Sequence, residues 1–164
     1  MTGKEAIKTA LTSTQNLLTA YLSDLSDADL LVRPVPTANH IAWQLGHLIE
    51  SEGAYFAKMI PGVQYPPLPA DLKEQHGKAM AASDSTKGFY TKQRYLDLFN
   101  QVRGATLAAV DKLSDADLDK PTPPEWAKFA PTVGALLLLH ANHVLMHAGQ
   151  FTVVRRKLNK PIIF

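Results

Sequence analysis

The chain has no cysteine, which removes disulfides, thiolate metal sites and a cysteine nucleophile from consideration. It has almost no excess of charge: 17 Lys and Arg against 15 Asp and Glu leave a formal net charge of +2, too little to hold a nucleic-acid backbone. It also lacks an apolar run approaching the ~18–20 residues that span a bilayer; the densest one, from Leu136 to Leu139, is interrupted by His140. The opening Met1-Thr2-Gly3-Lys4-Glu5 passes straight into an amphipathic pattern, with no apolar leader segment. These absences together lead us to expect a cytoplasmic protein with neither membrane nor nucleic acid as partner. The 164 residues suffice for one domain, 1–164, with a core of its own.

Four stretches carry apolar residues at helical spacing. Thr2 and Glu5 form a capping-box pattern ahead of the first, whose stripe is Ile7, Leu11, Leu18, Tyr21, Leu22 and Leu25. The second starts near Asn39 and should stop at about Ile60, because Pro61-Gly62 forbids continuation. The third has Tyr95, Leu98, Phe99, Val102, Thr106, Val110 and Leu113 as its stripe, and Thr132 caps the fourth. The expected helices are therefore 3–25, 39–60, 91–113 and 132–158. Leu25-Ser26-Asp27-Ala28-Asp29-Leu30 recurs unchanged as Leu113-Ser114-Asp115-Ala116-Asp117-Leu118, each copy reading as a capped helical turn. The recurrence divides the chain into two helix–connector–helix halves, 1–60 and 89–158, joined by a long stretch of weak pattern. No strand alternation occurs. The fold class is all-α: a four-helix bundle with a long crossover between helices 2 and 3.

Half of the six histidines fall in the last helix, as His140, His143 and His147. At ~100° per residue they span an arc of roughly 60°, flanked by leucine, valine and methionine. A buried polar group left unsatisfied costs about 1–3 kcal/mol, so three imidazoles on one apolar helix need a partner. A metal ion is the candidate, since His143 and His147 at i and i+4 can converge on one. A metalloprotease signature is excluded, because Val144 follows His143 where a general-base Glu would stand. The second helix offers His47, which would complete a three-ligand site with an open position. His40 sits next to the start of that helix, as a surface or cap residue, and His76 lies in the crossover. Glu50 is the acid nearest a proposed ligand and a weak catalytic candidate, whereas Glu52 points away from His47.

Trp43-Gln44-Leu45-Gly46-His47-Leu48, with His143-x-x-x-His147-Ala148-Gly149-Gln150 and the basic end Arg155-Arg156, resembles the DinB-like (DinB/YfiT) superfamily of metal-dependent four-helix-bundle proteins. The resemblance covers essentially the whole chain. It implies one divalent metal held by His47, His143 and His147. It gives His140 no ligand role, so that residue could line the pocket, hydrogen-bond a ligand or serve as a fourth one. Gln150 could orient an imidazole or simply satisfy a buried backbone group, and Trp43 belongs with the pocket or with the residues behind the ligands.

Characterised members of that superfamily include low-molecular-weight-thiol transferases and a thiol-dependent isomerase. Three neutral imidazoles suit Zn²⁺, Ni²⁺ or Fe²⁺ alike, and such an ion activates water or a small thiol. The expected function is thus an enzyme of hydrolase or thiol-transferase type acting on a small electrophile. The alternative is a non-catalytic metal-binding bundle that binds a ligand or partner in a stress response. The cations at Arg155, Arg156 and Lys157 read as complements to the helix dipole. The apolar tail Pro161-Ile162-Ile163-Phe164 reads as packed on the bundle or on a second subunit, making a homodimer the expected assembly.

Overall fold

The computed structural model describes residues 1–60, 63–83 and 85–163, apart from the side chains of Tyr55, Ala57 and Lys58. Its four long helices are α1 (Gly3–Leu22), α2 (Ile41–Met59), α5 (Lys92–Lys112) and α8 (Val133–Lys157). Each starts where a side chain satisfies a free backbone N–H. Thr2 and Glu5 make the reciprocal capping box of α1. His40 Nδ1 accepts from Trp43 N at 3.0 Å ahead of α2, and Thr91 and Thr132 cap α5 and α8. The helices are shorter than the apolar stripes by a residue or two at most ends, as end fraying and capping dictate. The Pro61-Gly62 stop lies outside the described residues, but Ile60 already has an extended backbone.

The connections are structured. The crossover holds two short helices, α3 (Leu72–Gln75) and α4 (Lys78–Ala81), where weak pattern suggested a loop. The repeated hexapeptide behaves alike in both places. Ser26 and Asp29 cap each other's backbone N–H groups ahead of a 3₁₀ turn, Asp29–Leu31, and Ser114 and Asp117 do the same for α6 (Asp115–Leu118). One further turn, α7 (Pro124–Ala127), precedes α8. Among the described residues the only β pairing is the isolated bridge Pro121–Thr132.

α1 packs on α8 and α5, and α2 packs on α5 and α8. Helices consecutive within each half, α1 with α2 and α5 with α8, therefore lie across the bundle diagonal, and the halves interleave. The core consists of two apolar clusters. Between them runs a buried polar layer of Thr14, Glu52, Arg103 and Thr106. Arg103 Nε and Nη2 make a fork to Glu52, at 2.9 and 2.8 Å, and its Nη1 donates to Leu11 O at 2.6 Å. Thr106 Oγ1 donates to Glu52 Oε1 at 2.7 Å and takes a hydrogen bond from the Tyr65 hydroxyl at 2.8 Å.

Arg155 is not the surface cation its position at a helix end suggests. It is buried, donating to Tyr21 O at 2.8 Å, to Asp24 and to Pro161 O at 2.8 Å. It holds the Asp24 carboxyl below its ordinary range and ties down the turn beyond α8. That turn is a Schellman cap: Lys160 N donates to Arg155 O at 2.9 Å, with Asn159 at φ 53° supplying the left-handed residue. Of the apolar tail, Ile162 is exposed, and Phe164 lies outside the described residues.

Gly46 is the one helical position where a side chain has no room, since a Cβ there would stand 2.0 Å from the His76 ring. That ring is buried and held at both nitrogens, by Leu72 O at 2.8 Å and the Tyr95 hydroxyl at 2.7 Å.

Two stability outcomes follow from these contacts. Arg103→Met or Glu52→Gln alone should lower unfolding free energy by ~3–5 kcal/mol, since each leaves a buried charge unpaired. Arg103→Met with Glu52→Leu should recover most of the loss in urea denaturation; equal losses in the single and double variants would contradict it. Gly46→Ala should cost about 1–3 kcal/mol by displacing His76, readable as loss of amide-exchange protection across α3 and α4.

Candidate metal centre

His47 projects from α2, and His143 and His147 from α8, helices adjacent in space but from different halves of the chain. One nitrogen from each of the three imidazoles lies within 4.8 Å of the other two. The rings of His143 and His147 are 4.8 Å apart, and their Nε2 atoms 3.1 Å. Two imidazole nitrogens on a tetrahedral ion with bonds of ~2.05 Å would be ~3.3 Å apart, so the pair is already at coordinating separation. The His47 ring completes the cluster at 5.2 Å from His143 and 5.5 Å from His147.

The groups behind the cluster fix ring orientation. His147 Nδ1 lies 2.7 Å from Gln44 Oε1, and Gln44 Nε2 donates to Asn39 O at 2.9 Å. The amide oxygen can only accept, so His147 carries its proton on Nδ1 and presents an Nε2 lone pair to the cluster. Trp43 stacks on His47, with ring centroids 5.1 Å apart and planes 8° from parallel, while its indole N–H donates to Gly77 O at 3.2 Å. Burial pushes the His147 pKa down to about 3 and that of His143 down to about 4, with neighbouring imidazoles adding to the shift. Burial also lowers His47, opposed by the charge of Glu50. The three are neutral bases at physiological pH. That is the state a divalent ion requires.

The other sequence candidates fall in different places. His140 stays outside the cluster: its ring is 6.2 Å from His143 and packs on Phe56 at 4.2 Å. It lines a pocket with His47 and His143, and burial takes its pKa to about 3. Gln150 is exposed, and Gln44 holds His147 in its stead; three residues beyond His147, Gln150 has turned towards solvent. Glu50 is half-buried and borders another groove, with Tyr65, Leu68 and Lys73. His40 is the expected cap, though buried. His76 stands behind Gly46. Sequence reasoning missed Gln44, whose signal was its place three residues before His47 on one helix face. It also missed Trp126, which joins the pocket wall from α7 and carried no signal at all.

A model of the DinB superfamily matches residues 10–151 of the chain. No curated protein matches it in sequence. Among solved structures, a conserved protein from Enterococcus faecalis is 17% identical, with 95% of this chain and 96% of that chain covered and a TM-score of 0.68. YfiT from Bacillus subtilis, described as "a probable metal-dependent hydrolase with an unusual four-helix bundle topology", is 18% identical, with 96% and 89% covered and a TM-score of 0.69. Identities this low establish the shared fold alone. The family match is of another kind, running from the first long helix into the last, and by it the chain belongs to the DinB superfamily.

Proposed function

We propose that the chain is a metal-dependent enzyme in which His47, His143 and His147 hold one divalent ion beside a substrate pocket. The observation that carries this reading is the convergence of three neutral imidazoles within 4.8 Å, one with its tautomer set by Gln44. A bound Zn²⁺, Ni²⁺ or Fe²⁺ supplies Lewis acidity there, polarising a carbonyl or lowering the pKa of water or a small thiol. The chain's own residues do the rest. Gln44 keeps the proton on His147 Nδ1, Trp43 holds the His47 ring flat, and the pocket beside His47 and His143 leaves room for a substrate. The reaction class this suits is attack by water or a low-molecular-weight thiol on a small electrophile. No Asp or Glu lines the pocket among the described residues, so Glu50 enters only through its field on His47. A closed, purely structural site would need His140 as fourth ligand, and its packing on Phe56 argues against that.

The site is tested by metal affinity, measured by chelator competition on single variants. His47→Ala, His143→Ala and His147→Ala should each lower occupancy at least tenfold. His40→Ala and His76→Ala should leave it unchanged, and Gln44→Ala should weaken binding about 10–100-fold. Full occupancy in His143→Ala or His147→Ala would end the reading.

Acid provides a second test. All six histidines have pKa values below the ordinary 6.5. As pH falls below about 6.5 the unfolded chain therefore takes up protons that the folded chain refuses, and stability drops. The Tm of metal-free protein should fall steeply between about pH 7 and pH 5, and zinc should raise Tm more at the higher pH, where protons compete less. A Tm that is flat or rising towards acid in calorimetry contradicts the shifts.

A further inference from the structure

We propose that the pocket beside the imidazole cluster seats an uncharged, ring-sized apolar group, the aromatic or compact aliphatic body of a substrate. The proposal rests on the metal-centre reading for its chemistry but not for binding.

The cavity has a volume of about 340 Å³, roughly twice the ~150 Å³ of an apolar cavity that accepts benzene. It fits a fused ring pair, or one ring with a short chain. His47 and His143 form one side, and Trp126, Leu139 and Met146 supply an indole, a branched alkyl group and a thioether, surfaces that favour flat, polarisable partners. Of the other polar lining residues, Ser51 has its hydroxyl engaged with Leu48 O at 3.1 Å, and Asn142 is an exposed neutral amide.

No Asp, Glu, Lys or Arg lines this pocket among the described residues. The contrast is local, since a cleft beside α5 is lined by Lys112, Asp117 and Lys120. Away from a bound ion, a carboxylate, phosphate or ammonium seated in this pocket would meet no opposite charge from the chain among the described residues. A neutral apolar group loses nothing comparable and buries its surface.

The wall is also held in place before a ligand arrives. Trp126 sits on α7, within a connector pinned by Thr122 N to Pro131 O at 3.1 Å and Val133 N to Lys120 O at 2.9 Å. A fixed wall reduces the ordering needed on binding.

The test titrates 2-naphthylmethanol and 2-naphthoate into the full chain, metal-free and zinc-loaded, while ¹³C-methyl methionine NMR reads Met146 against Met1, Met59 and Met80. The charge ranking is taken in metal-free protein, because a carboxylate also ligates zinc. The alcohol should move the Met146 methyl and bind at least tenfold more tightly than the carboxylate. Trp126→Ala should weaken the alcohol about tenfold without changing metal occupancy. Met146→Lys, at an exposed position where folding is undisturbed, should turn the preference towards the carboxylate in calorimetry. Equal affinities for the two probes, shifts confined to the other methyls, or an unchanged ranking in Met146→Lys each overturn the proposal. Binding of the alcohol at Met146 by a chain that takes up no zinc upholds the pocket and sinks the metal-centre reading instead.

Discussion

The bundle depends on the ion pair between Arg103 and Glu52, which crosses its middle with no solvent to screen it. The pair joins α5 to α2 directly and reaches α1 through Leu11 O, so three of the four long helices meet at one guanidinium. Charges buried at this depth gain little net stability, because desolvation offsets most of their attraction. What they supply is register. A slip of α2 by one turn would leave both charges unpaired, whereas a slip in an all-apolar core would cost far less. Since His47 lies five residues before Glu52 on α2, the pair also sets the height at which His47 meets α8. The imidazole cluster and the ion pair are separate chemically but share one positional constraint.

How much of this was legible in the sequence follows from what periodicity can and cannot encode. The four long helices, the Thr2 and Thr132 caps and the approach of His143 to His147 are local facts, determined by spacing along one helix, and the structure has them. Which helices are neighbours is not local. A 3.6-residue stripe says that a face is buried but not against what, so the diagonal placement of α1 and α2 could not be seen. Arg103 is the plainest case: it stands between Val102 and Thr106 with no local sign of burial, yet it is fully buried. Its partner Glu52 was correctly directed away from His47, but nothing in the sequence said towards which helix. Arg155 does more than complement the helix dipole, and the sequence could not show it for a similar reason. Cations at a helix end are usually solvated, and only the approach of Tyr21 and Asp24 from α1 makes this one a core residue.

The side chain that holds His147 shows the same limit at finer scale. Gln150 and Gln44 are both glutamines near a ligand, and the sequence offered Gln150 because it shares a helix with His147. The structure uses Gln44, from the facing helix, because a side chain that steadies a ring must approach the nitrogen turned away from the cluster. That nitrogen of His147 points across to α2. Residues that orient a ligand therefore tend to come from the opposite helix, a rule that needs the helix pairing before it can be applied.

The use of an amide where many metal sites place a carboxylate carries its own chemical consequence. A carboxylate behind an imidazole raises its basicity and cancels part of the ion's charge. Gln44 fixes the tautomer of His147 equally well and contributes no charge. The three ligands are neutral, and the pocket beside them is lined without charge among the described residues. A divalent ion in this setting would keep nearly its full charge against a low-dielectric wall, where its field on a substrate dipole is strongest. With that ion bound, its charge would be the only one at the pocket wall among the described residues, so the site would favour the negative end of a dipole at the ion and an uncharged body in the pocket beyond it.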